Sequence, residues 1–154
     1  MDTILSVKNL KTNFYMTDKV VKAVDGISFE IDKGEILALV GGSGSGKTTT
    51  GLCCSGLLQP SNGTTLLDAE DISELARDRK RRTALRRRVQ MIFQDPYDSL
   101  NPRQTILDCV KEPLEVHKLA NSKTEKIGMV TIALENAGLK PAADYFDRYP
   151  QDLS

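Results

Sequence analysis

No stretch of this 154-residue sequence approaches the roughly 20 consecutive apolar positions that a bilayer-crossing helix needs. The start, Met1-Asp2-Thr3, also lacks the basic-then-apolar order of a secretion signal, so the expected compartment is the cytoplasm. Cysteine is scarce. Cys53, Cys54 and Cys109 form neither a metal-ligand spacing nor an even disulfide set, and two of them are adjacent, so they read as reduced packing residues. The single histidine, His117, reads as a surface residue. Internal repeats and low-complexity tracts are absent. With 40% hydrophobic and 27% charged residues the composition excludes a disordered chain, and the length suffices for one domain with a core.

Aromatics make up 5% of the chain, and none is interleaved with its most basic stretch. The formal net charge of zero hides that stretch: residues 77–88 hold eight basic residues and one acid, leaving 13 basic against 20 acidic elsewhere. A basic patch can indicate nucleic acid. Without rings for stacking, and between a helical segment and a strand, a solvated face or a subunit contact is the expectation, with no nucleic-acid partner.

What the sequence does contain is Gly41-Gly42-Ser43-Gly44-Ser45-Gly46-Lys47-Thr48, which satisfies G-x-x-x-x-G-K-[ST] directly after the apolar run Ile36-Leu37-Ala38-Leu39-Val40. A strand entering such a turn, with a helix leaving it, is the setting of a phosphate-binding loop. Glycines at 41, 42, 44 and 46 tolerate positive φ, so successive backbone N–H groups can converge on one anion. Lys47 is expected to reach the β- and γ-phosphates of ATP and the Thr48 hydroxyl to join the shell of Mg²⁺, with Thr49 adding to the loop's contacts. The positive end of the helix beginning near Lys47 adds to the attraction.

The rest orders itself around this loop. Residues 7–14, 20–24 and 26–31 read as short strands, with Thr17-Asp18-Lys19 as a hairpin tip, giving a small, largely antiparallel sheet. Phe14 and Tyr15 lie just before the tip, where a ring could stack on a purine or pack in the core. The loop helix is expected over residues 47–58, Asn62-Gly63 as a turn, and residues 64–67 as a returning strand. Residues 72–84 read as a helix with Ser73 as N-cap, and residues 89–93 as a buried parallel strand. Beyond Pro102 the pattern is helical. Thr105 with Asp108 and Ser122 with Glu125 resemble capping boxes, Ile127, Val130, Leu134 and Ala137 recur at helical spacing, and Gly138 marks a stop.

The stretch Val89-Gln90-Met91-Ile92-Phe93-Gln94-Asp95-Pro96-Tyr97-Asp98-Ser99-Leu100-Asn101-Pro102-Arg103, with Ala23-Val24-Asp25-Gly26-Ile27-Ser28-Phe29 upstream, closely resembles the ATP-binding subunits of oligopeptide/dipeptide ABC importers. The resemblance covers nearly the whole chain. It implies an α/β P-loop NTPase: a nucleotide-binding core with an antiparallel β subdomain over residues 1–95 and a helical subdomain over 96–154. It makes Gln94 the Q-loop glutamine, reaching Mg²⁺ and the attacking water, and Phe14 the ring that stacks on adenine, with Tyr15 as runner-up. Membrane-spanning permease subunits and a second ATP-binding subunit are the implied partners, which would hold the protein on the inner face of the membrane. The solute, whether oligopeptide, dipeptide, nickel or another, is expected to be chosen by other subunits.

The chain departs from the family at Gly42, where Glu is usual, and at Ala69, where a hairpin glycine is common. Its end, Arg148-Tyr149-Pro150-Gln151-Asp152-Leu153-Ser154, looks like the approach to the family's Leu-Ser-Gly-Gly-Gln signature. The expectation is a chain without the C-terminal half of the core, that is, without the Walker B Asp with its following Glu and the switch His. Two other readings stand beside the importer subunit: a nucleotide-binding module without turnover, and a soluble ABC-type ATPase acting on nucleic acid or ribosomes.

Overall fold

β1 (Thr3–Tyr15) and β2 (Val20–Asp32) run antiparallel, from Thr3 opposite Asp32 to Tyr15 opposite Val20. The tip between them is closed by a hydrogen bond from the Met16 N–H to the Lys19 carbonyl, 2.9 Å. The computed structural model describes residues 2–95 and 99–153; Pro96, Tyr97, Asp98 and Ser154 of the quoted motifs lie outside them. Two compact units emerge, Met1–Met91 and Ile92–Ser154.

In the first unit β3 (Asn62–Leu67) pairs antiparallel with β1, and β4 (Glu70–Asp71) with β3, giving the order β2-β1-β3-β4. Period-2 alternation would place Val7 and Leu10 on opposite faces, yet both are buried. An extra residue between them, with Asn9 at φ 48°, returns Leu10 to the core face. Gly26, at φ +85°, is the compensating bulge in β2, so the two strands expected over 20–24 and 26–31 are one. Gly63 is likewise no turn residue. It belongs to β3 at φ +87°, and a Cβ there would strike the Asn9 carbonyl of the bulged β1.

One core cluster joins Val7, Leu10 and Val24 of the sheet to Cys53 of α1 (Lys47–Cys54). α1 stops four residues short of the expected Leu58 because Gly56 adopts φ +67°. The Leu57 N–H then reaches the Leu52 carbonyl and the Gly56 N–H the Cys53 carbonyl, a Schellman ending. A second cluster packs Leu67 against Ile72 and Leu75 of α2 (Ile72–Arg77) and Leu85 of α3 (Arg79–Arg88). The single helix expected over 72–84 is thus two. Asp71, not Ser73, caps α2, and Asp78 interrupts the run to cap α3 by accepting from the Arg81 N–H.

Two sequence-expected strands have no place in this sheet. Residues 36–40 and 89–93 carry no strand assignment, and Ile36, Val40 and Ile92 are 95%, 89% and 91% exposed. A strand exists through its ladder partners, and none of the described strands pairs with either run.

The second unit contains α4 (Ile106–Val116) and α5 (Lys123–Asn136), capped by Thr105 and Ser122 as expected. Ile106, Val130, Leu134 and Ala142 form its core. Both helices end in Schellman motifs, at Lys118 with φ 52° and at Gly138 with φ 89°. His117 caps α4, and it is not the surface residue the sequence suggested: it is half-buried, its Nδ1 enclosed without a hydrogen-bond partner among the described residues.

The turn joining β3 to β4 places Asp68 at φ 47° and Ala69 at φ 65°. That is the type I′ conformation, which favours Asp-Gly, and an L-residue there costs roughly 1–2 kcal/mol. Ala69→Gly removes that cost against a smaller loss of about 0.4–1 kcal/mol through the unfolded chain. Thermal unfolding of Ala69→Gly is therefore expected at a higher midpoint than the parent; a lower midpoint would show that the turn is not strained.

Candidate functional site

The loop from Gly41 leads into α1 through Gly46, the N-cap, at φ 89°. No side chain caps this helix start, and its first turn holds no acid, so the first N–H groups face outward without an internal acceptor. Gly46 is more than a flexible hinge. A Cβ on it would collide with the carbonyl oxygen of Ala23, a residue of β2 beside Val24 in the sheet core. Gly44, at φ +76°, also needs glycine, although nothing stands within 4 Å of its Cβ position. At Gly41 a Cβ would crowd the Ser45 side chain at 2.5 Å. Gly42 differs from all three: it has no positive φ and open space around it, so a side chain such as the family's usual glutamate meets no obstacle.

The Lys47 ammonium lies back over the loop, donating to the carbonyls of Gly41 at 2.7 Å and Gly42 at 2.6 Å and to Ser45 Oγ at 3.3 Å. Its positive charge is thereby held at the mouth of the ring formed by residues 41–46. Thr50 Oγ1 is engaged, donating to the Gly46 carbonyl at 2.9 Å. The Thr48 and Thr49 hydroxyls make no hydrogen bond among the described residues, and Thr48 is exposed. That geometry fits a hydroxyl left free to ligate a hard cation at the helix start.

The far end of α1 is anchored by a residue the sequence did not single out. The half-buried Arg86 guanidinium donates to the carbonyls of Ser55 at 2.7 Å and Gly56 at 2.9 Å, just past the end of α1. A cation there complements the negative end of the helix. Nothing in a run of eight basic residues distinguishes Arg86 before folding. The two cysteines of α1 are packing residues, as expected. Burial pushes the Cys54 thiol up to about 11, with Cys53 beside it adding to the shift, and burial also raises Cys53.

Gly41, Gly42, Ser43, Gly44, Ser45, Gly46, Lys47, Thr48 and Thr49 are thus gathered at one helix start. Phe14 sits on the same unit. Its alternation with Leu10 and Thr12 puts it on the α1 face of β1, where Thr12 Oγ1 meets Cys53 Sγ at 3.4 Å. Tyr15, 76% exposed against 44% for Phe14, belongs to the opposite face. Gln94 is an exposed residue in a bend within the second unit.

Comparison with known proteins decides the family. The ABC transporter family model matches residues 24–154. The chain belongs to the ABC transporter family. The oligopeptide transport ATP-binding protein OppF of Bacillus subtilis is 43% identical over 153 residues, covering 99% of this chain and 49% of that protein. The glutathione import ATP-binding protein GsiA of Escherichia coli O157:H7 is 41% identical over 160 residues, covering 99% and 25%. The chain therefore spans about half the length, or less, of these curated relatives. Among solved structures, the dimeric, post-hydrolysis ATP-binding cassette MJ0796 bound to ADP and Pi superimposes with a TM-score of 0.83 at 26% identity, covering 97% of this chain and 63% of that one. The cbiO1 protein of Clostridium perfringens, part of the cbiONQ complex, gives 0.73 at 29%, covering 100% and 57%. The fold is that of an α/β ABC ATPase, and ABC ATPase membership carries nucleotide binding. Among the described residues of this ABC protein, no helix is long and apolar enough to cross a membrane.

The loop geometry separates two glycine substitutions. Gly46→Ala is expected to abolish nucleotide binding, because φ 89° and the Ala23 carbonyl both oppose a methyl group. Gly42→Ala should bind ADP within about twofold of the parent, with an equal or higher unfolding midpoint. Equal tolerance at both positions would contradict the close approach of loop and sheet.

Proposed function

We propose that this chain is the nucleotide-binding part of an ATP-binding subunit of an ABC-type peptide importer, coupling ATP binding and hydrolysis to transport. The observation that carries the reading is the loop at residues 41–49, an open helix start with Lys47 poised over it, in a chain similar over 99% of its length to OppF. Lys47 would move from the loop carbonyls to the β- and γ-phosphates, exchanging neutral acceptors for charged ones, which form hydrogen bonds about twice as strong. The N–H groups of residues 44–49 would hold the α- and β-phosphates, and Phe14 would lie against the adenine. Mg²⁺, held by Thr48 and the nucleotide with Gln94 in its surroundings, would neutralise phosphate charge. Permease subunits and a second ATP-binding subunit complete the proposed assembly, at the inner face of the membrane. Support for the pairing comes from MJ0796, whose solved structure is described as dimeric.

Binding and turnover should separate in these 154 residues. In-line attack on a γ-phosphate needs an oriented water, a metal held from more than one side and stabilised charge on the transferring oxygens. The resemblance assigns only Lys47, Thr48 and Gln94 to those tasks here, and each absent positioned group commonly costs about a hundredfold or more in rate. Calorimetry is expected to show Mg-ATP binding at least about tenfold weaker in Lys47→Ala, consistent with loss of a charged hydrogen-bond donor. Phosphate release should be the same for parent and variant. Equal affinities would remove the site assignment, and Lys47-dependent release would show that further catalytic groups lie within this sequence.

A further inference from the structure

The basic run of residues 77–88 divides into two populations once folded. Arg77 donates to Gln59 and Arg86 to the carbonyls past the end of α1, while Arg81 pairs with Glu70 at 3.0 Å. Arg88 reaches both Asp68 at 2.5 Å and Glu70 at 3.0 Å. Arg77 and Arg86 thus tie α2 and α3 to the segment after α1 and Arg81 and Arg88 tie α3 to the β3–β4 turn, and the charge-assisted bonds from Arg88 and then Arg81 hold the Glu70 carboxyl below its usual range. The remaining four, Arg79, Lys80, Arg82 and Arg87, are exposed and have no side-chain hydrogen bond or ion pair among the described residues.

Three of these four share the side of α3 opposite its buried residue, and the fourth borders it. Leu85 is buried and faces the second core cluster, with Arg81 and Arg88 flanking it on the way to their acids. At about 100° per residue, Arg79, Lys80 and Arg87 point more than about 100° away from Leu85, with Thr83 between them, and Arg82 lies at the edge of that sector, about 60° from Leu85. α3 itself carries no acid and no aromatic residue, so the face is one of uncompensated cations over a rise of about 12 Å.

We propose that this outer face of α3 is a docking surface for anionic phospholipid headgroups. The choice of partner rests in part on the transport reading above, which puts the chain beside a membrane. Three observations favour it over other polyanions. The apolar side of α3 is committed to the core, so the helix can adsorb to a plane but has nothing to insert. No ring lies on the face to stack on a base, which single-stranded nucleic acid binding ordinarily uses. The rest of the chain is predominantly acidic, with 20 acids against 13 bases, so an extended polyanion wrapping the protein would be repelled. A plane touched by one helix face avoids that repulsion, and the remaining acidic surface would set the orientation by facing away.

The test is cosedimentation of the chain with vesicles of phosphatidylcholine alone and of equal parts phosphatidylcholine and phosphatidylglycerol, at rising salt. The chain should bind the mixed vesicles, not the neutral ones, and release steeply as salt increases. Neutral vesicles also reveal any adsorption through the exposed apolar residues 36–40. Reversing the four charges (R79E, K80E, R82E, R87E together) should weaken partitioning at least about a hundredfold, since each cation near such a surface contributes several-fold. The neutral set R79Q, K80Q, R82Q and R87Q keeps helix-forming residues and should also release, should the reversed set not fold. Reversing Lys8, Lys19, Lys123 and Lys140 instead changes net charge equally and should leave binding nearly intact. The proposal is overturned if the parent ignores mixed vesicles at low salt, or if the control set releases as fully as the α3 set. It is also overturned if the α3 charges govern binding to a single-stranded RNA and not to vesicles. None of these outcomes touches nucleotide binding, so a failure here is distinguishable from a failure of the transport reading.

Discussion

The approach of Gly46 to the Ala23 carbonyl ties the phosphate loop to the antiparallel sheet with no room for a side chain between them. Everything chemical in the first unit hangs on that contact. It fixes where α1 begins, and therefore where uncapped N–H groups point. Thr12 and Cys53 meet behind it, and Arg86 holds the carbonyls at the other end of the helix. A helix pinned at both ends can present its positive end without reorganising when an anion arrives, which is the condition for strong electrostatic binding in a fixed site.

The same economy of acids and bases shapes α2 and α3. Asp71 and Asp78 are used as caps, while Asp68 and Glu70, at the β3–β4 turn, take Arg81 and Arg88. Exposed pairs of this kind contribute little each, and here they matter as a geometric link between turn and helix. The cations left over face outward, so the charge segregation of the sequence becomes a single surface. The helical unit is built differently. It has an apolar core around Val130 and two helices closed by left-handed residues, one of them the non-glycine Lys118.

What the sequence disclosed followed from local rules. The glycine loop, the caps at Thr105 and Ser122, the stop at Gly138 and the hairpin tip all depend on neighbours within a few positions, and folding respected them. Features that depend on distant partners were not legible. The break before Gly26 and the turn at Asn62-Gly63 read as punctuation because the bulge at Asn9 that Gly26 and Gly63 accommodate is invisible along the chain. The helix break at Asp78 lost to an apparently continuous basic pattern, although an Asp followed by charged helix formers is a cap signal. Residues 36–40 and 89–93 have the composition of buried parallel strands, but composition does not supply a ladder partner. Arg86 was hidden among like residues, and Gly42, already marked as a departure from the family, was still grouped with the glycines that tolerate positive φ until the backbone showed that it needs none.

The central claim is that one loop, fixed to the sheet at Gly46, forms the anion site, with Phe14 on the same side. Amide and aromatic NMR spectra recorded through an ADP titration test it directly. The largest shifts should fall on the N–H groups of Gly44, Ser45, Gly46, Lys47, Thr48 and Thr49, with the Phe14 ring shifting more than Tyr15. Shifts centred on α3 or on the second unit, with the loop amides unmoved, would contradict the account.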